Sequence, residues 1–116
     1  MKKILELIHY KFRDYCESEN IPKIKKYLQM FPFLVNSENG LYFTIIAETG
    51  NLELLILFIE NGAIVDIDNN YVLYSCAYHE HDDCLDYLIN TCKIDIESLK
   101  NKCGYSYVVQ RYNITK

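Results

Sequence analysis

The residues best suited to chemistry in this 116-residue chain follow one another in a single short segment. Two imidazoles, three carboxylates and a thiol occur in the order His79-Glu80-His81-Asp82-Asp83-Cys84. Zinc accepts each of these ligand types, so one hypothesis is a metal site formed by His79, His81, Asp83 and Cys84. A second hypothesis is a Cys84 nucleophile with a neighbouring histidine as its base.

The elements that must position this segment repeat along the chain. A pattern from Glu38-Asn39-Gly40-Leu41 through Ala47, Leu55 and Ile59 returns thirty residues later as Asp68-Asn69-Asn70-Tyr71 through Ala77, Leu85 and Ile89. A period of this length predicts an array of helical pairs, each of which buries its apolar side against a neighbour. The spacing of apolar residues predicts helices over residues 2–17, 20–31, 41–48, 51–62, 71–78, 82–90 and 108–112.

Within this repeat, the His79 to Cys84 segment favours a structural role. Cys84 stands thirty residues after Leu54, at a core-facing position where a thiol has a raised pKa and poor access. The carboxylates of Asp82 and Asp83 fall at a helix start, where negative charge is favourable. No Gly-rich phosphate loop, H-E-x-x-H or nucleophile elbow occurs in the sequence. We therefore expect no enzyme, no cofactor and no bound metal ion.

The cysteines also fit a structural role. They form an odd set without a C-x-x-C pair, which we expect to remain reduced and to pack as small apolar groups. The set is Cys16, Cys76, Cys84, Cys92 and Cys103.

Charge is segregated along the chain, whose net charge is −4. Residues 1–37 carry +3, residues 38–97 carry −11, and residues 98–116 carry +4. A phosphate backbone would be repelled by the acidic middle, so we expect no nucleic-acid binding and a protein partner with a basic or mixed surface. The sequence has no signal-peptide apolar region and no membrane-spanning stretch, which predicts an intracellular, cytoplasmic protein without membrane association.

Residues 50–77 carry a resemblance to a known family. The run Gly50-Asn51-Leu52-Glu53-Leu54-Leu55, followed by Phe58-Ile59-Glu60-Asn61-Gly62-Ala63-Ile64-Val65-Asp66, resembles the second helix and finger of an ankyrin repeat, G-H-x-E-V-V-x-L-L-x-x-G-A-D-V-N. The run Asp68-Asn69-Asn70-Tyr71, with Leu73 and Ala77, is similar to the thirty-residue ankyrin variant of large DNA viruses. The resemblance implies one all-α, ankyrin-type solenoid over residues 1–116. Its repeats would span about 8–37, 38–67 and 68–97, with 98–116 as a C-terminal cap or partial repeat.

The resemblance also implies where a partner would bind, because ankyrin repeats use their fingertips and the exposed ends of their first helices. Here these positions are Asn39, Gly40, Glu48, Thr49, Asn69, Asn70, Tyr78 and His79. His81 would bond to the backbone of the neighbouring finger. Exposed tyrosines would be good interface anchors, with Tyr42, Tyr74, Tyr78 and Tyr87 as the candidates.

The expected function is protein binding on an acidic, tyrosine-containing concave surface, as in a viral factor that engages host proteins. Three alternatives stay open. In the first alternative, each predicted binding position is an ordinary solvated turn or helix end. In the second, the His79 to Cys84 segment makes a small metal-binding protein, and in the third the chain is a decayed repeat protein without a partner.

Overall fold

The computed structural model describes residues 2–100 and 105–112, with the side chains of Asp68, Asn69 and Ser98 left outside the description. In this part the chain is all-helical and contains no strand, as the sequence predicts. The α-helices are α1 (Lys2–Glu17), α2 (Ile21–Met30), α3 (Ser37–Thr49), α4 (Leu52–Glu60), α5 (Ile67–Tyr78), α6 (Asp82–Asp86) and α7 (Tyr105–Arg111). Short 3-10 turns cover Pro32–Asn36 and Ile96–Leu99. Among these helices, none is long and apolar enough to cross a membrane.

The helices stack as a row of pairs. The pairs are α1 with α2, α3 with α4, and α5 with α6, and the two helices of each pair contact one another. The first helices lie side by side, since α3 contacts both α1 and α5, and α7 extends this row by packing on α5. The resulting molecule is elongated, with dimensions of 53 × 23 × 20 Å.

The backbone repeats with the same period as the sequence. Each first helix is followed by a residue in the left-handed conformation, at Glu19 (φ 55°), Gly50 (φ 74°) and Glu80 (φ 56°). In the first two pairs an asparagine then caps the second helix, because Asn20 and Asn51 each accept the backbone N–H three residues further on, at 3.3 and 3.1 Å. The predicted caps and the left-handed end at Gly50 are confirmed.

The first helices of the second and third pairs begin irregularly. Helix α3 contains left-handed residues from Glu38 to Gly40, and α5 contains one at Asn70. Regular helical geometry therefore starts at Leu41 and Tyr71, where the apolar spacing predicts it.

The third helical pair is one residue longer than the second. The predicted helix over residues 82–90 is present, but only Asp82–Asp86 is α-helical, and a π-helical turn covers Tyr87–Thr91. The left-handed residue after the second helix is Gly62 in one pair and Lys93 in the next, 31 positions later. The wider turn absorbs the extra residue, which is the usual effect of a π-bulge.

The core runs through the row of helices and joins neighbouring pairs. Phe12, Phe43 and Phe58 are fully buried, and the ring of Phe58 lies 6.1 Å from that of Phe12 and 6.0 Å from that of Phe43. Three of the cysteines are buried in the same core, namely Cys16, Cys76 and Cys84. Burial raises the pKa of Cys16 to about 12, as expected for a thiol that acts as a small apolar group. Cys92 is half-buried, and Cys103 lies outside the described residues.

Helix α7 is fixed to α6 by charged and polar contacts. Arg111 binds Asp86 at 2.8 Å and Asp82 at 3.2 Å, and the hydroxyls of Tyr107 and Tyr112 donate to the same two carboxylates. The hydrogen bonds from Arg111 and Tyr112 lower the pKa of Asp86 below its ordinary value of 3.8. A depressed pKa means that this carboxylate stabilises the fold above pH 4 or so, and that the stabilisation is lost as the pH falls through the folded-state pKa.

We predict that Asp86→Asn loosens α7 without unfolding the core. The ion pair is partly exposed, so its loss should cost only about 0.5–1 kcal/mol. At neutral pH, hydrogen exchange at the α7 amides should accelerate about two- to fivefold, and the difference from the parent should shrink as the pH is lowered below about 4. Asp83→Asn is the control, because Asp83 is exposed and also lies in the first turn of α6. Equal acceleration in both variants would contradict the proposed α7 contact.

Candidate functional site

A groove separates the exposed sides of α1 and α3. It consists of two depressions of about 590 and 350 Å³ that share Arg13 and Leu41. We call it the first-helix groove; its lining also includes Lys2, Glu6, Glu17, Glu38, Thr44 and Glu48. Carboxylates outnumber basic groups in this set, so the groove is a surface of mixed but mainly negative charge.

Tyr42 lies at the floor of this groove and is not an exposed side chain that could anchor a partner. Its side chain is only 2% exposed, and its hydroxyl oxygen lies 2.6 Å from His9 Nδ1. The ring also packs edge-on against Phe12, with 4.8 Å between the centroids. The prediction that Tyr42 is an exposed interface residue is therefore wrong, because this position faces the preceding helix.

A row of tyrosines continues the groove along α5. Tyr71, Tyr74 and Tyr78 have successive ring-centroid distances of 5.7 and 5.8 Å, and we call them the tyrosine ladder. Tyr78 is 56% exposed and stands at the open end of the ladder. The hydroxyl of Tyr71 donates to the Glu48 carboxylate at 3.4 Å, which joins the ladder to the groove.

The ladder and the groove occupy equivalent positions of successive helical pairs. Tyr71, Tyr74 and Tyr78 stand thirty residues after Leu41, Thr44 and Glu48. The same helix face is therefore exposed in α3 and in α5. The spacing of the three tyrosines in sequence is the signal that could have found the whole ladder, of which Tyr74 and Tyr78 were identified as candidates.

Three predicted site residues, Glu48, Tyr78 and His79, are exposed. The Glu48 carboxylate contacts the ladder at Tyr71, and the imidazole of His79 packs edge-on against the Tyr78 ring at 5.1 Å. His79 Nδ1 also donates to the carbonyl of Ser75 at 2.9 Å, which fixes the imidazole at the end of α5. Thr49 is different, because its half-buried hydroxyl donates to the carbonyl of Ile46 at 2.6 Å and so closes the last turn of α3.

The predicted fingertip residues do not form one exposed set. Asn39 is exposed, but Gly40 is buried, and a Cβ at position 40 would lie 2.8 Å from the side chain of Ile67. Gly40 (φ 78°) therefore allows a tight turn, and its burial corrects the expectation that this position is exposed to a partner. Asn70 is half-buried, and its buried Oδ1 has no hydrogen-bond partner among the described residues. The side chain of Asn69 lies outside the described residues.

The His79 to Cys84 segment does not assemble the alternative metal site. Cys84 is fully buried, while His81 Nε2 donates to the carbonyl of Glu48 at 2.9 Å. Over residues 2–100 and 105–112, no group of three or more histidine, cysteine or acidic side chains is placed to hold a metal ion. Asp82 and Asp83 lie in the first turn of α6, as predicted. His81 does reach the preceding unit, but it binds the last turn of α3 and not a finger, which corrects that expectation.

Sequence reasoning missed the first-helix groove. Arg13, Glu38 and Leu41 line it, although none of them was a candidate site residue. Their signal is weak, because single exposed residues on two helices form a groove only once the helices are placed side by side. The equivalence of Leu41 with Tyr71 is the one clue that the repeat itself offers.

No family model, curated protein or solved structure matches the chain. The features that bear on its function are thus the groove, the ladder and the repeat.

Proposed function

We propose that the chain is an ankyrin-type repeat protein that binds a protein partner on its first-helix face. The helical pairs recur about every thirty residues, with left-handed residues at Glu19, Gly50 and Glu80 between the first and second helices. This geometry supports the resemblance of residues 50–66 to the second helix and finger of an ankyrin repeat. Similarity to the ankyrin variant of large DNA viruses makes a viral factor that engages a host protein the specific form of the proposal.

The observation that carries the binding function is the tyrosine ladder, which is half-buried at Tyr71 and Tyr74, exposed at Tyr78, and in contact with Glu48. Tyrosine gives a large, rigid contact area at low entropic cost and is enriched among the residues that dominate binding energy. The ladder ends at Tyr78, which is 56% exposed even though it is a large aromatic side chain. Because the surrounding segment carries −11, a partner with a basic or mixed surface is the electrostatic match.

The reactive side chains near this face are engaged in the fold. His81 binds the backbone of α3, His79 binds the backbone of α5, and Cys84 is fully buried. These contacts favour presentation of a rigid surface over chemical change in the partner.

We predict that Glu48→Lys combined with Tyr78→Ala abolishes partner capture in affinity purification from host cells. Truncation of a tyrosine that is a binding hot spot costs about 2 kcal/mol or more, so with charge reversal the affinity should fall by about 100-fold. Binding should then be measured directly with the purified partner. Glu53→Lys is the control, because it makes the same charge change at an exposed position of α4. Circular dichroism establishes that all variants are folded.

Two results would contradict this proposal. If the double variant keeps the partner, the binding face is elsewhere on the molecule. If the parent chain enriches no protein, the binding function fails, and a decayed repeat protein becomes the better explanation.

A further inference from the structure

We propose that Glu48 and the tyrosine ladder form a binding site for an arginine side chain of the partner. This inference rests on the proposed function, and it names the chemical group that the first-helix face recognises. The site lies where the first-helix groove meets the ladder, at the contact between the Tyr71 hydroxyl and the Glu48 carboxylate.

The geometry of the rings suits a planar cation. Successive centroids of Tyr71, Tyr74 and Tyr78 are 5.7 and 5.8 Å apart, so the row presents aromatic surface along about two turns of α5. A cation is attracted to an aromatic ring when it lies within about 6 Å of the centroid. A guanidinium that pairs with Glu48 would lie at the Tyr71 end of this row, while the aliphatic part of the arginine and the adjoining partner residues lie along the rings toward Tyr78.

The carboxylate supplies the second half of the site. Glu48 is exposed and accepts from Tyr71, which holds its carboxylate against the ladder. A carboxylate can accept two parallel hydrogen bonds from one guanidinium, and this planar pairing favours arginine over lysine.

The charges around the site leave the Glu48 carboxylate available to a cation from a partner. Glu48 forms no salt bridge within the described part of the chain. Residues 38–97 contain a single basic side chain, Lys93, whereas Arg111 is bound to Asp82 and Asp86. Two lysine or arginine side chains line the same groove, namely Arg13, which pairs with Glu17 at 3.1 Å, and Lys2, which lies in the depression that Glu48 does not line. Neither of them pairs with Glu48.

The test is selection of a random peptide library, displayed on phage, against the immobilised parent chain. We expect enriched peptides to share an arginine. A synthetic copy of an enriched peptide should bind Tyr78→Ala and Glu48→Gln about five- to thirtyfold more weakly than the parent. Glu53→Gln on α4 is the control for charge, and Tyr78→Phe should keep most of the affinity because it keeps the ring. Replacing the arginine of the peptide with citrulline, which is uncharged, should weaken binding to the parent and to Glu53→Gln, and should weaken binding to Tyr78→Ala and Glu48→Gln much less.

The outcomes separate this inference from the function on which it rests. Enriched peptides without arginine, or with lysine in its place, would overturn the guanidinium site while leaving a peptide-binding face. Arginine peptides that bind the Tyr78 and Glu48 variants as well as the parent would also overturn it. If no peptide is enriched and no protein is captured from cells, the proposed function fails together with the inference.

Discussion

Replacing Phe58 with alanine should lower the free energy of unfolding by about 3–5 kcal/mol, the usual cost of truncating a fully buried phenylalanine. Phe58 comes from a second helix, yet its ring packs against Phe12 and Phe43 of two successive first helices. The substitution therefore leaves a cavity inside the α3–α4 pair that extends to α1 of the preceding pair. Single domains are stable by about 5–15 kcal/mol, so this loss would bring a small chain close to unfolding.

Urea denaturation followed by circular dichroism measures this effect. Phe33→Ala is the matched control, because Phe33 is 50% exposed and its truncation should cost far less. The two helical pairs should also unfold together in the parent, since each buries its apolar side against the other. A loss below about 1 kcal/mol for Phe58→Ala would be inconsistent with a shared core between the pairs.

Much of the fold could be predicted because local physics sets the ends of the helices. Asn20 and Asn51 cap helices through their own side chains, and Gly50 accepts the left-handed conformation that ends α3. These effects depend on residues within one turn of each other, so sequence spacing is enough to find them. The all-helical class follows directly, while the ankyrin type stays a proposal.

The candidate site could be predicted only in part because it depends on how helices are placed against each other. Glu48, Tyr78 and His79 lie on one exposed surface, as their equivalent positions suggest. The predictions that Tyr42 and Gly40 are exposed are wrong for the same physical reason, because each is buried by a neighbouring element. Tyr42 packs against α1, and Gly40 packs against Ile67. No periodicity within a single helix reports such a contact.

The close approach of Gly50 to His81 joins two successive helical pairs. Replacing Gly50 is therefore expected to have the second large effect on the free energy of unfolding. A Cβ added at Gly50 would lie 2.5 Å from Nδ1 of His81, closer than such atoms approach in real structures. The imidazole cannot easily move away, because Nε2 donates to the Glu48 carbonyl and the ring stacks on His79 at 5.6 Å. Gly50→Ala should thus break this bond as well as strain a left-handed residue, and lower the free energy of unfolding by about 2–4 kcal/mol.

Gly62→Ala is the control that separates the cost of backbone strain from the cost of the lost His81 contact. Gly62 is also left-handed (φ 96°), but a Cβ there would meet no atom within 4 Å. Its replacement should cost only the backbone strain, about 1–2 kcal/mol. A double-mutant cycle then isolates the contact: in a His81→Ala background, Gly50→Ala should cost no more than Gly62→Ala does. If Gly50→Ala costs the same with and without His81, the clash with the imidazole is not the source of the extra cost, and the predicted coupling between Gly50 and His81 is wrong.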